Sequence, residues 1–316
     1  MDSPYRIQEA DRQAAEEYRG FLPARIFDAH THIYLREATP LEEVLHPGYT
    51  AFVRSKCSYE EYCHDMAVML PGVEKIRLNM MPMPDPILND RANGLLCRAN
   101  AHVMEQQRLH PDSVASVYIL PENSAQEIFD LASHPGVRGL KPYFYATGRW
   151  QGEEFEIPDF LPESAWEVSA HLRIPIILHI KKQNLADGAN FSYIERMARR
   201  YPAARLVLAH CARAGSWEQI RAIERLKDGG NIWFDLSSCA SPGAIIACIL
   251  KSGGKRVVWG SDYAVSMYRG GGDAPVFLGI GNLRAFCTAA RQLCLDRSAI
   301  EDLFYNNACA LFGVEP

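Results

Sequence analysis

The run Arg25-Ile26-Phe27-Asp28-Ala29-His30-Thr31-His32 reads as a buried β-strand closed by two histidines two positions apart. Side chains alternate along a strand, so His30 and His32 share one face. Four more apolar runs close on polar residues in the same way. They end Gly139-Leu140-Lys141, Ile177-Leu178-His179, Leu208-Ala209-His210 and Trp259-Gly260-Ser261-Asp262. Imidazole, carboxylate and ammonium are poor companions for a buried strand unless something compensates them. A bound divalent metal compensates such a set at once. A lone His-x-His decides little: with 10 histidines in 316 residues, chance alone supplies roughly 0.3 of them. The recurrence at five run ends carries the weight.

Working outward, β-type and α-type segments alternate. Strands are expected at Arg25–His32, Lys75–Met81, Ser113–Leu120, Val137–Tyr143, Pro175–Ile180, Arg205–His210, Ile232–Leu236 and Arg256–Gly260. Helices are expected near Tyr59–Leu70, Asn89–Leu109, Ser124–Ala132, Glu163–Leu172, Phe191–Tyr201, Trp217–Lys227, Ala244–Lys251, Leu283–Cys294 and Ala299–Phe304. Short apolar runs suit parallel strands buried on both faces, and strict alternation implies right-handed βαβ units. Eight such units predict an α/β fold, a (β/α)8 TIM barrel. An open doubly wound sheet is the alternative, but no GxGxxG follows the first strand. The expected organisation is one barrel domain over 1–316, with residues 1–24 as an N-terminal extension. In such a barrel the site lies at the C-terminal strand ends, where all five marked positions fall.

The bulk composition narrows the partners. The net charge is −5, with acidic and basic residues mixed and no long Lys/Arg run, which speaks against nucleic acid or an anionic membrane. No uninterrupted apolar stretch reaches membrane-spanning length, and the first ten residues contain no apolar core of a secretory signal. Nine scattered cysteines without a CxxC pair suit free thiols in a reducing compartment. A cytoplasmic protein acting on a small molecule is therefore expected. Oligomeric state stays open, a homo-oligomer included.

Each marked residue also has a bland reading. His179 and His210 taken singly suit hydrogen-bonded core histidines, Asp262 a helix cap and Lys141 a chain snorkelling to the surface. All of these would have to hold together, in this order, always at a strand's end. From Ile26-Phe27-Asp28-Ala29-His30-Thr31-His32 to Asn306-Asn307-Ala308-Cys309-Ala310-Leu311-Phe312-Gly313, the chain resembles the amidohydrolase superfamily. It is most similar to the amidohydrolase-related (amidohydrolase 2) family, which also contains decarboxylases. The resemblance implies that His30, His32 and Asp262 hold the more buried metal and that His179 binds the same ion or a second one. It implies that His210 either ligates or hydrogen-bonds substrate and water. In the two-metal form a carboxylated Lys141 bridges both ions. One or two ions, Zn²⁺ first and Mn²⁺ second, are the expected cofactor.

Such an ion lowers the pKa of water to about 7 and polarises a carbonyl. Asp262 then serves as general acid and base, with His210 beside it. The expected reaction is hydrolysis of a C–N or C–O bond in an amide, cyclic amide or lactone. The alternative is non-oxidative decarboxylation of an aromatic or unsaturated acid. A TatD-like nuclease shares the His and Asp spacing but has an acid where Lys141 stands, and a silent scaffold would have no need of every ligand position. Lys181, Lys182, Arg213 and Arg269 are near the marked positions in the chain, Arg54 lies in the loop region after the first strand, and all suit a substrate carboxylate, Arg269 best because Gly270-Gly271-Gly272 follows it. Tyr143, Tyr145 and Trp150 suit the flanks of a planar substrate.

Overall fold

Eight parallel strands form one sheet in chain order: β1 (Arg25–His32), β2 (Lys75–Met81), β3 (Val114–Ile119), β4 (Val137–Pro142), β5 (Pro175–Leu178), β6 (Arg205–Leu208), β7 (Ile232–Asp235) and β8 (Val257–Val258). The computed structural model describes residues 7–35, 56–84, 94–147, 155–180, 184–227, 229–268 and 276–316. The first and last strands meet along the two most polar motifs. Ala29 N–H donates to Trp259 O (3.1 Å), Asp262 N–H to His30 O (2.8 Å) and His32 N–H to Tyr263 O (2.6 Å). A parallel bridge joins Thr31 to Tyr263. The expected (β/α)8 barrel is thus the observed fold, and its seam is sewn by residues of the first and last marked motifs.

Helices alternate with the strands: α1 (Glu9–Glu16) before β1, then α2 (Tyr59–Met69), α3 (Leu95–Leu109), α4 (Ala125–Ala132), α5 (Glu163–Leu172), α6 (Gly188–Arg200), α7 (Trp217–Arg225), α8 (Pro242–Ser252), α9 (Leu278–Gln292), α10 (Arg297–Glu301) and α11 (Asn307–Phe312). Serine-led capping boxes set three of the starts: Ser58 with Glu61, Ser124 with Glu127 and Ser216 with Gln219. A cluster drawn from seven of the eight strands, including Phe27, Ile177, Val207 and Val258, packs on Tyr305 and Phe312 from the C-terminal helical segment. No helix among the described residues is long and apolar enough to cross a membrane.

Several ends differ from expectation, each for a local reason. Helix α6 begins at Gly188 rather than Phe191, because the Asp187 side chain accepts from Ala189 N–H and Asn190 N–H (both 3.0 Å). Helix α8 begins at Pro242, whose missing N–H suits the first helical turn. The helix expected over 299–304 is α10 followed by a π-helical turn, Asp302–Asn306, that runs into α11. Strands β5 and β6 stop at Leu178 and Leu208, so His179 and His210 stand just beyond the sheet. The start expected near Asn89 for α3 lies outside the described residues.

Beneath the site a polar chain ties the first three strands. Thr31 Oγ1 donates to Asn79 O (2.7 Å), Asn79 Nδ2 to Ala29 O (3.0 Å) and Ser116 Oγ to Asn79 Oδ1 (2.7 Å). On β4, a Cβ on Gly139 would fall 2.2 Å from Ser116 Oγ. Gly139→Ala is therefore expected to evict that hydroxyl and lower stability by about 1–3 kcal/mol. Chemical denaturation checks it: an unchanged midpoint would mean that the hydroxyl moves aside freely.

Candidate metal centre

All six residues marked in the sequence, His30, His32, Lys141, His179, His210 and Asp262, line one cavity at the C-terminal strand ends. Met83, Tyr143, Tyr145 and Tyr268 complete its apolar side. Both histidines of the first strand turn inward, as the spacing predicts, because both Nε2 atoms approach one carboxylate oxygen. His32 Nε2 is 3.4 Å and His30 Nε2 3.6 Å from Asp262 Oδ1.

The opposite nitrogen of each ring is occupied. His30 Nδ1 donates to Asp235 Oδ2 (2.6 Å), His32 Nδ1 to Pro82 O (3.0 Å) and His210 Nδ1 to Ser237 O (3.1 Å). Carboxylates and carbonyls only accept, so Nδ1 carries the proton in each ring and a neutral ring keeps its Nε2 lone pair. Burial first, then the Lys141 charge, hold His30 well below the ordinary imidazole range, and burial lowers His32 in the same direction. Burial, with His210 and Lys141 beside it, keeps His179 well below that range as well. Burial alone would raise Asp262, but the imidazoles of His210, His32 and His30 hold it below the usual carboxylate range. Neutral rings and an ionised carboxylate are the protonation states a cation requires.

The donor set fits a divalent ion on its own geometry. One ligand atom from each of His30, His32 and Asp262 lies within 4.8 Å of the others. Two imidazole lone pairs and a carboxylate oxygen facing one point repel each other unless positive charge lies between them, so the residues suit a cation. A second grouping, His30, His210 and Asp235, is explained without an ion, by the direct bond between His30 and Asp235.

Lys141 is 1% exposed, which removes the snorkelling alternative. Its Nζ lies 3.4 Å from His30 Nε2 and 5.8 Å from the Tyr143 ring centroid. Burial lowers its proton affinity to about 8, against the pull of Asp262 and Asp235. Three substrate contacts expected from sequence, Arg269, Arg54 and Lys182, lie outside the described residues, as do Lys181 and Trp150. Tyr143 lines the cavity, its ring centroid 5.0 Å from that of His179. An adjoining cavity shares His179, His210 and Asp262 and adds Arg213 and Ser238.

The backbone around these groups is unusual. His210, Cys211, Ala212 and Arg213 form a left-handed turn with φ between 52° and 57°, and Ser238 and Asp262 also have positive φ (51° and 57°). Such residues cost about 1–2 kcal/mol each. The turn is held by Arg213 N–H to His210 O (2.8 Å) and by Asn184 Nδ2 to Arg213 O (2.8 Å). Strain held in place on segments that carry His210, Ser238 and Asp262 is the pattern of a functional site. Cys211, adjacent to His210, is fully buried and packs as a small apolar side chain.

Sequence reading places the strand β7 but misses its polar end. Asp235, Ser237 and Ser238 close the run Ile232-Trp233-Phe234, the same signature that marks the other five strands. Asp28, two residues before His30 in the first motif, is a second residue without a sequence-based role. It is buried, accepts from Ser261 N–H (2.8 Å) and Tyr62 OH (2.8 Å), and burial raises its pKa to about 7.

The family model described as amidohydrolase matches residues 27–314. Among proteins of curated function none matches the chain in sequence. Solved structures resemble it in fold. One is 5-carboxyvanillate decarboxylase from Novosphingobium aromaticivorans, complexed with manganese and 4-hydroxy-3-methoxy-5-nitrobenzoic acid. It has TM-score 0.63 and 18% identity, covering 94% of this chain and 97% of that one. An amidohydrolase from Burkholderia multivorans has TM-score 0.63 and 13% identity, with 92% and 99% covered. A Pseudomonas putida protein assigned as a 2-pyrone-4,6-dicarboxylic acid hydrolase has TM-score 0.60 and 17% identity, with 93% and 100% covered.

Proposed function

Because the chain belongs to the amidohydrolase family, we propose that it is a metal-dependent hydrolase of a C–N or C–O bond in a small planar carbonyl compound, an amide, cyclic amide or lactone. The observation that carries this reading is the convergence of His30 Nε2, His32 Nε2 and Asp262 Oδ1 on one point. These three residues would hold the ion, with His179 in the adjoining wall. A bound Zn²⁺ or Mn²⁺ supplies Lewis acidity and makes water a better nucleophile at neutral pH.

The protein's own groups do the rest. Asp262 takes a proton from the attacking water and returns it to the leaving nitrogen or oxygen. His210 presents Nε2 to the same cavity and accepts a hydrogen bond from water or substrate. Tyr143, Tyr145 and Tyr268 give the substrate's flat faces apolar cover. Arg213 supplies positive charge in the adjoining cavity, which favours a substrate bearing a carboxylate. Lys141 stands unmodified beside one ion. Its carboxylated form with a second ion is the other stoichiometry, and intact mass with a metal count distinguishes the two.

Decarboxylation of an aromatic acid is the second reading. The tyrosine-lined cavity favours it, as does the likeness in fold to a decarboxylase solved with manganese and a nitrobenzoic acid. Asp262 would then manage a proton on carbon. Turnover of a panel of amides, lactones and aromatic acids in H₂¹⁸O separates the readings. Label in the product is the expected result, and unlabelled product with released CO₂ selects decarboxylation. A chelator is expected to abolish either activity, with recovery on adding Zn²⁺ or Mn²⁺. Full turnover in metal-free protein would overturn both.

A further inference from the structure

We propose that the segment Asp235-Leu236-Ser237-Ser238, at the polar end of β7, is the orienting frame of the metal centre, fixing the tautomers of His30 and His210 and the rotamer of Asp262. The inference rests on the metal-centre reading and adds three residues to it, Asp235, Ser237 and Ser238. These are positioning residues, acting through others.

One short segment reaches three of the site's groups. Asp235 Oδ2 accepts from His30 Nδ1 (2.6 Å). Its other oxygen accepts from Ser237 N–H (2.7 Å), which keeps the carboxylate turned toward the ring. Ser237 Oγ also donates to Asp235 Oδ2 (2.6 Å) and lies 3.0 Å from His210 Nδ1, while its carbonyl accepts from the same Nδ1 (3.1 Å). Ser238 Oγ donates to Asp262 Oδ2 (2.7 Å). That bond reserves Oδ1 as the oxygen facing His30 and His32.

The frame is itself held. Asn282 Nδ2 donates to Leu236 O (2.7 Å) and Cys239 O (2.9 Å), and its Oδ1 accepts from Trp259 Nε1 (3.1 Å). Asp235, Ser237 and Asn282 are buried, so solvent is excluded from the Asp235 bonds to His30 and Ser237, while Ser238 is exposed. A carboxylate on Nδ1 leaves Nε2 as the only lone pair and makes it a stronger donor to a cation. An amide in its place accepts or donates, so it no longer dictates which nitrogen carries the proton.

The test is Asp235→Asn, read by Zn²⁺ and Mn²⁺ titration and by ¹⁵N spectra of histidine-labelled, metal-free protein. The expected result is affinity weaker by about 10–100-fold, and a His30 signal moved from the Nδ1–H pattern toward a mixture. The thermal midpoint of the metal-free protein is expected to stay, which separates orientation from general unfolding. Ser237→Ala is expected to lower kcat and broaden or shift the His210 signal while metal affinity is kept. It tests the frame at His210 if Asp235→Asn does not fold, and wild-type kcat with an unmoved His210 signal would then overturn the inference. Wild-type affinity and an unmoved His30 tautomer in Asp235→Asn would overturn the inference while leaving the metal centre standing. A wild-type protein that binds neither ion would overturn both.

Discussion

Asp262→Asn is expected to lower kcat by about 10²–10⁴-fold while the metal stays bound. The two carboxylate oxygens have separate duties. Oδ1 faces His32 Nε2 at 3.4 Å and His30 Nε2 at 3.6 Å, and Oδ2 accepts from Ser238 Oγ at 2.7 Å. An asparagine offers one oxygen to a cation, so His30 and His32 retain a third ligand. It has no second oxygen to hold a proton and hand it on. Metal analysis of the purified variant together with steady-state kinetics checks both halves. Full turnover would remove Asp262 from proton transfer, and loss of the ion would mean that the carboxylate's charge, not its geometry, holds it.

Gly260→Ala is expected to damage stability and metal affinity together. A Cβ at that position would meet His30 Cβ at 2.7 Å, and His30 N and Asp235 Oδ1 at 3.0 Å. These neighbours are the backbone of β1 and a carboxylate held by Ser237, so neither yields. The strain falls on the seam where Ala29 N–H bonds Trp259 O and Asp262 N–H bonds His30 O. Overpacking of this kind costs about 1–3 kcal/mol, and His30 is the group displaced. Gly281→Ala is the control: it lies in α9, where an added Cβ would meet nothing within 4 Å. There an alanine is expected to be neutral or to stabilise by up to about 1 kcal/mol. Thermal melts and metal titration of the pair check this, and equal behaviour of the two variants would refute the steric account.

The chain itself announced the barrel. Apolar runs of strand length, amphipathic segments between them and serine caps such as Ser124 are properties of neighbouring residues, legible wherever the period is read. The same local logic placed His30, His32, Lys141, His179, His210 and Asp262 at strand ends, and the cavity gathers all six. Its failure at the end of β7 is instructive. Asp235 closes an apolar run as the others do, but a lone aspartate beside two serines reads equally as a turn.

What only the folded molecule decided is which atom of each residue meets which. His30 and Asp235 are separated by 205 positions, and His30 and Lys141 by 111. Their meeting depends on barrel closure and on the left-handed turns at His210 and Asp262, which bring backbone and side chain to a point that no local period encodes. Sequence therefore determined the type of fold and the kinds of ligand. The tertiary structure determined the tautomers, the division of labour between the two oxygens of Asp262 and the partner of each ring, because hydrogen bonds across a barrel are set by distance in space and not along the chain.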